Sequence, residues 1–496
     1  MASTTLESPA RPTQRSGPVL ACMSVCTALV VGFVAAINLA VPDLAASSLR
    51  PTSSELLWIV DAYVVIFACL VIPAGAAGDR LGRKGTLLTG LAVFAAGAIV
   101  SVAAPTVAVM LTGRAITGLG AACVLPHCVG ILLHATAPER RTHALAVWAA
   151  ASGIGGVVGN VGGGAVLTGG SWRTLFVAVA VIAVACLTWA ARSAPRSPRH
   201  RRTVDLPGTL LFVAAVVALL TGIIEGPERG WVGTTVLTAF AAGLILSVSW
   251  VLVELRVAHP MLDPRLFRDP RLGSASLGMT VVFFGNFGLF YVNASLLQYG
   301  RGFSVLETGL AIIPLTVPLL VGTRYVPGLI RRVGAPATLA TAFLLGSGGL
   351  VGLSYASTRA YPVYAAALVV VGLGIMLAAP CLTAQIASAL PVERAGIAGG
   401  LQSATRELGS ALGVAVVGTV LTAGFTRHLP AALQAHSPVP RTVREALALA
   451  PSDHDAITGA FTRGADTALR AAALVVLLAG ALVVAGARRG SKTAMR

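Results

Sequence analysis

The feature that most constrains this chain is a series of apolar runs, each close to the length of one bilayer crossing. A spanning helix needs about 20 mainly apolar residues. Such windows fall at 18–41, 55–76, 85–104, 107–133, 143–167, 174–192, 207–225, 232–253, 272–297, 306–329, 335–356, 361–386, 395–424 and 467–487. An all-α integral membrane protein with about fourteen transmembrane helices is therefore expected. Several connections are too short to hold a domain, and a helix satisfies its own backbone groups in lipid where loose strands do not. Only 11% of the 496 residues are charged, against roughly 25% for a soluble protein. That excludes a soluble enzyme, a disordered tail and a disulfide scaffold. The first run is too long for a signal-peptide core and no clear cleavage site follows it, so it is expected to remain as the first helix.

The net charge of +17 is gathered in short clusters between apolar runs, unlike the basic stripe of a nucleic-acid binder. Arg80, Arg83 and Lys84; Arg140 and Arg141; Arg196, Arg199, Arg201 and Arg202; Arg256, Arg265, Arg268 and Arg271; Arg331 and Arg332; Arg394; and Arg488, Arg489 and Lys492 fall on one side. The opposite side has scattered Arg50, Arg229, Arg301 and Arg359. The positive-inside rule makes the crowded side, with both termini, cytoplasmic. The long connection 425–466 is then an external cap or flexible loop. All seven cysteines lie in apolar stretches without metal-ligand spacing, so they are expected to pack as small hydrophobes. No metal or cofactor is expected.

The chain also repeats itself. Gly118 to Pro126 recurs as Gly372 to Pro380, Pro138-Glu-Arg140 is echoed by Pro391-Val-Glu-Arg394, and Arg80-Leu-Gly82 by Arg332-Val-Gly334. Three matches in order, at a near-constant offset, pair helices two to four with helices ten to twelve. The expected organisation is a six-helix bundle over 1–192, a linker and inserted helix pair over 193–256, and a second bundle over 257–496. Duplicated bundles around a midplane site are a transporter architecture.

After the second helix comes Gly75-Ala-Ala-Gly-Asp79-Arg80-Leu-Gly82-Arg83-Lys84. It resembles the cytoplasmic G-x-L-A-D-R-x-G-R-K signature of the major facilitator superfamily, with Ala77 for Leu and Gly78 for Ala. The resemblance implies a gate. Asp79 suits the positive end of a helix in the other bundle, Arg80 and Arg83 can bridge neighbours, and the glycines allow a tight turn. Leu111 to Gly118 is similar to the R-x-x-Q-G motif of the antiporters, with Arg114 in place and Thr117 for Gln. An intramembrane charge faces a partner or a cavity, so Arg114 is either structural or part of proton coupling. Gly153 to Gly164 resembles the antiporter G-x-x-x-G-P-x-x-G-G motif. Gly155, Gly159 and Gly163 share a helix face suited to close packing, and Asn160 stands where the family has Pro, which removes a kink. Ser171-Trp172-Arg173 resembles the motif's ending, and Ala395 to Val417 the penultimate helix of the fourteen-helix drug:proton antiporter branch. Trp58 to Tyr63, and Ile224 to Pro227 with Trp231, look like its methylenomycin-resistance-like exporters.

Proton antiport needs a carboxyl that titrates within the membrane. Asp61 is the leading candidate, with Trp58 one turn away on the same face. Burial raises a carboxyl's affinity for protons and a nearby Arg lowers it, so Asp61 beside Arg114 could switch as a cavity opens. The resemblance implies an acid in helix one, where this chain has Phe33, followed by Asn38. Phe33 either lines an apolar substrate pocket or packs. His127 is either a proton relay or a hydrogen-bonded helix residue. Arg406 and Glu407 are neighbours pointing about 100° apart on a helix, so they are not expected to face one point. Asn286 and Asn293 can hydrogen-bond substrate, and Asn286 alternatively ties helices together.

No nucleophile–base arrangement or ATP-binding loop accompanies these residues. The expected function is a multidrug exporter of the cell membrane, a monomer in the lipid bilayer, exchanging small amphipathic compounds for protons by alternating access. Its partners are the small-molecule substrate and protons, not nucleic acid. An uncoupled facilitator or importer is the alternative that Phe33 encourages, and a membrane enzyme using Asp61 and His127 as acid and base is a distant one.

Overall fold

The computed structural model describes residues 16–137, 140–196, 205–258, 260–389 and 395–493. The echo at Pro138-Glu-Arg140 and Pro391 to Arg394, the basic residues Arg199, Arg201, Arg202 and Arg394, and the side chain of Lys492 lie wholly or partly outside the described residues. Among those described, every regular element is helical.

The main helices are α1 (Ser16–Leu39), α2 (Ser53–Leu81), α3 (Arg83–Val102), α4 (Val107–Ala135), α5 (Arg141–Thr168), α6 (Trp172–Ser193) and α7 (Leu206–Arg229). Then come α8 (Thr234–Glu254), α9 (Pro270–Ser295), α10 (Val305–Val333), α11 (Ala335–Ala356), α12 (Tyr361–Ser388), α13 (Ala395–His428) and α14 (His454–Thr493). Thirteen are long and apolar enough to cross a membrane, and the described apolar part of α5 is the shorter Gly153–Thr168. Large apolar side chains such as Leu244, Ile245, Leu344 and Leu482 lie more than half exposed on this surface, as lipid-facing residues do. The chain is an all-α, multi-pass membrane protein.

Local chemistry sets the helix ends. A capping box starts α2: Thr52 Oγ1 accepts from the Glu55 backbone N–H, and Glu55 Oε2 accepts from that of Thr52, satisfying two orphan donors at once. Gly82 ends α2 at φ 107°, and Gly334 ends α10 at φ 83°. Both close an Arg-x-Gly echo, and both hold a conformation that side chains with a Cβ resist. The expected tenth span is broken into Val305–Leu310, Ile313–Gly322 and Val326–Val333. Pro314 and Pro327, in the first turns of the second and third pieces, accompany the breaks, since each lacks the N–H that a ladder continuing from the preceding piece needs; Pro318 lies inside the second piece. One boundary differs widely from expectation. α14 starts at His454, well before 467, because its first turns are helical but too polar for a hydropathy window to register.

The same pairings occur twice. α1 packs on α5, α3 on α4 and α6, and α2 on α4; likewise α9 packs on α13, α11 on α12 and α14, and α10 on α12. α7 and α8 pair with each other, with α7 lying along α2 and α13. Contacts between the first and last six helices run through α2 with α13, α5 with α10, and α1 with α9.

Glycine permits the closest of these packings. A Cβ on Gly159 would fall 2.1 Å from Gly32 O, and one on Gly163 2.8 Å from Ala36 Cβ. The α9–α13 seam repeats the arrangement, with Gly413 placing a Cβ 2.3 Å from Phe284 O. The close helix approach expected of Gly155, Gly159 and Gly163 is thus present, and each finds its neighbour on α1. The helix continues through Asn160, whose Nδ2 donates to Gly156 O at 2.9 Å.

Candidate functional site

Arg114 is the largest charged side chain buried in the first six helices. Its Nε donates to Ile59 O at 2.7 Å and one terminal nitrogen to Val60 O at 3.1 Å, while Nη1 has no hydrogen-bond partner among the described residues. Its guanidinium stands 4.8 Å from the ring centres of both Phe33 and Tyr63. Each such contact is worth about 0.5–2 kcal/mol. Tyr63 is held in turn by its hydroxyl, which donates to Val30 O at 3.2 Å. The arginine therefore clamps the α2 backbone immediately before Asp61, and meets ring faces where the family resemblance implies a carboxylate in helix one.

Asp61 is wholly buried, and neither carboxyl oxygen has a hydrogen-bond partner among the described residues. No described ion pair joins it to Arg114, although Arg114 and Tyr291 of α9 both lie within its electrostatic reach. A carboxylate without partners is expensive to bury, so this position is poised to respond to any change in access. Tyr291 and Leu57 both abut Gly418 of α13, which puts the carboxyl one turn from the place where α2, α9 and α13 meet.

On α13, Glu407 is buried and its Oε1 accepts from Arg406 at 2.8 Å. The expectation that these neighbours diverge is corrected: the long Arg406 side chain curls back around the helix to meet Glu407. The pair lies within electrostatic reach of Tyr63. Each set of six helices thus buries one of the two expected acids, Asp61 in the first and Glu407 in the second.

Other expected residues land elsewhere. Phe33 is buried among aromatic rings. It is 2% exposed, edge-on to Tyr63, Phe94 and Phe176 at 5.6–5.8 Å. Asn293 Oδ1 accepts the Tyr364 hydroxyl at 2.8 Å and ties α9 to α12. Asn286 borders a void of only about 20 Å³ among α9, α11, α12 and α14, room for a single water. Asn38 bonds back to Val34 O at 3.0 Å, leaving its buried Oδ1 unpartnered. Trp58 is half-buried against the apolar core. Tyr63 and Tyr291 were not singled out from the sequence, although Tyr63 lies two residues beyond Asp61 and its phenol was the available signal.

At the end bearing the basic clusters, Asp79 Oδ1 pairs with Arg83 Nε at 2.9 Å, and Arg83 reaches Gly130 O of α4 at 3.0 Å. Lys84 Nζ donates to Ala191 O of α6 at 2.9 Å, and Arg80 is exposed. Gly75 abuts Pro126. His127 Nδ1 donates to Cys123 O at 2.5 Å, while its buried Nε2 has no partner among the described residues. The ring occupies the space beside Gly78, where a Cβ would fall 1.6 Å from Nε2. Gly78, a departure from the family pattern, and the buried His127 ring are therefore one steric arrangement.

The model of the Major Facilitator Superfamily matches residues 23–414. The chain belongs to that superfamily. It is 31% identical to the methylenomycin A resistance protein of Streptomyces coelicolor over 80% of this chain and 85% of that one. It is 32% identical to the cephamycin export protein CmcT of Amycolatopsis lactamdurans over 86% and 89%, and 31% to the multidrug resistance protein Stp of Mycobacterium tuberculosis over 82% and 75%. In fold it is similar to a bacterial homologue of the lysosomal transporter Spinster, with TM-score 0.70, 16% identity and coverage of 97% and 98%. As a member of this superfamily, among relatives named for drug resistance and export, it is a membrane transporter of small molecules and not an enzyme.

Proposed function

We propose that this facilitator-superfamily protein exports small amphipathic compounds, of the kind its antibiotic-resistance relatives are named for, in exchange for protons by alternating access. Two bundles, 1–192 and 257–496, open in turn around a central chamber; 193–256 links them and 425–466 lies outside. Both termini face the cytoplasm, the side of the basic clusters, and the protein works as a monomer.

The observation that carries the reading is Asp61, a fully buried carboxyl without a hydrogen-bond partner beside the α2–α13 contact. A carboxyl moved between a dry packed site and an open wet one changes its proton affinity. That change couples the pH gradient to the movement of the bundles. Asp61 and Glu407 carry protons, Arg114 positions Asp61, and His127 relays at the inner face. Asn38, Trp58 and Arg406 contact substrate, with Phe33, Asn286 and Asn293 acting behind them as supports. Gly75, Asp79, Arg80, Gly82, Arg83 and Lys84 form the inner gate, and Gly155, Gly159, Asn160 and Gly163 the packed hinge face.

The test is drug-dependent proton release from inverted vesicles energised with an acid interior. Asp61→Asn is expected to abolish drug-driven proton movement and uphill accumulation while leaving the amount of folded protein unchanged. The absence of a helix-one acid favours a second reading, an uncoupled facilitator. Full drug flux with the gradient dissipated would establish it.

A further inference from the structure

Away from the central region, a cavity of about 440 Å³ opens between the α7–α8 turn, the end of α13 and the connection after it. That volume is within the range of small-molecule sites. Pro227 and Trp231 supply apolar walls, and Thr426, Gln434, Arg427 and Arg441 supply polar ones. Trp231 is half exposed and lies flat against Gly226, where a Cβ would come within 2.7 Å of the ring.

The charges around it do not balance. Glu225 is taken up by Arg229 at 2.7 Å, and Glu228 by the Ser53 hydroxyl and Ser54 N–H at 2.8 and 3.0 Å. Glu445 caps the backbone N–H groups of Arg441 and Thr442. What remains is cationic. The guanidinium of Arg427 has no partner among the described residues. Among the described residues, that of Arg441 meets only the Glu228 carbonyl, at 3.4 Å, and its Nη1 is buried without a partner. A buried guanidinium nitrogen left unpaired is destabilising until an acceptor fills the place.

We infer that this cavity is a second binding site, for an amphipathic anion: its carboxylate or phosphate sits between Arg427 and Arg441, and its apolar body lies on Trp231. A soluble aromatic acid and the headgroup of an anionic lipid share that chemistry. The site stands apart from Asp61 and Glu407, so it does not depend on proton coupling.

The test uses the full-length protein in phosphatidylcholine nanodiscs with 2-naphthoate as probe and 2-naphthamide as its uncharged counterpart. Binding is read as quenching of the emission lost in Trp231→Phe. Saturable quenching by naphthoate is expected, with Arg441→Gln and Arg427→Gln each weakening it about tenfold, the loss of roughly one charge-assisted hydrogen bond. Thermal unfolding in the same discs checks that the variants are folded. Competition by added phosphatidylglycerol identifies a lipid as the natural occupant; its absence identifies a soluble anion. Equal quenching by acid and amide, or unaltered binding in both folded arginine variants, overturns the inference.

Discussion

Gly78→Ala should destabilise this transporter far more than a glycine-to-alanine change within a helix normally does, and His127→Ala should rescue it. A Cβ at position 78 would fall 1.6 Å from His127 Nε2, 2.3 Å from Cδ2 and 2.7 Å from Cε1. The ring cannot simply rotate away, because Nδ1 is anchored on Cys123 O and the side chain is only 2% exposed. Relief requires helix displacement, about 1–3 kcal/mol for overpacking, or loss of the ring's hydrogen bond, about 0.5–1.5 kcal/mol. His127→Ala alone opens a cavity. In the double variant the new methyl occupies part of the space the ring has left, so the two effects should cancel partly, with a coupling energy on the order of 1–2 kcal/mol. Unfolding in detergent can be followed by thiol-dye labelling, since six of the seven free cysteines are buried. Additive destabilisation, or a double variant weaker than Gly78→Ala, would falsify the steric account.

Arg114→Lys should lose the clamp on Ile59 and Val60, on the order of 3 kcal/mol for two charge-assisted bonds, because an ammonium lacks the planar fork and stacking of a guanidinium; an unchanged melting temperature would contradict this. Gly159→Ala should lower stability by about 1–3 kcal/mol, since its Cβ meets Gly32 O. Gly156→Ala, with nothing within 4 Å, should be neutral or stabilising by about 0.5–1 kcal/mol, and the same labelling assay ranks the two. Phe33→Leu removes one ring from Arg114 and should cost about 0.5–2 kcal/mol while leaving drug affinity intact; a change in affinity at unchanged stability would return Phe33 to the substrate surface.

The membrane fold was legible because lipid imposes a length and a polarity that a window can measure, and the glycine-rich motifs were legible because close packing needs absent side chains at fixed spacing. Direction was harder to read. Asn293 and Asn286 sit on an apolar helix where a polar residue points equally well inward or toward a cavity, and only the Tyr364 hydroxyl decides the first. Arg406 and Glu407 misled for a related reason, since helix geometry fixes where a Cβ points but not where a long side chain ends. Gly78 and His127 are separated by 49 positions and look unrelated until the packing of α2 on α4 joins them. The early start of α14 escaped because hydropathy reports residence in lipid and not helicity.

Where one main chain lies directly upon another, as along Gly32–Gly159 and Phe284–Gly413, there are no rotamers to exchange. A disturbance reaching either seam cannot be absorbed there by repacking. It is passed on, as by a stiff lever, to the joints with looser, larger side chains. In this protein such joints include the meeting of Leu57, Tyr291 and Gly418, one turn from Asp61.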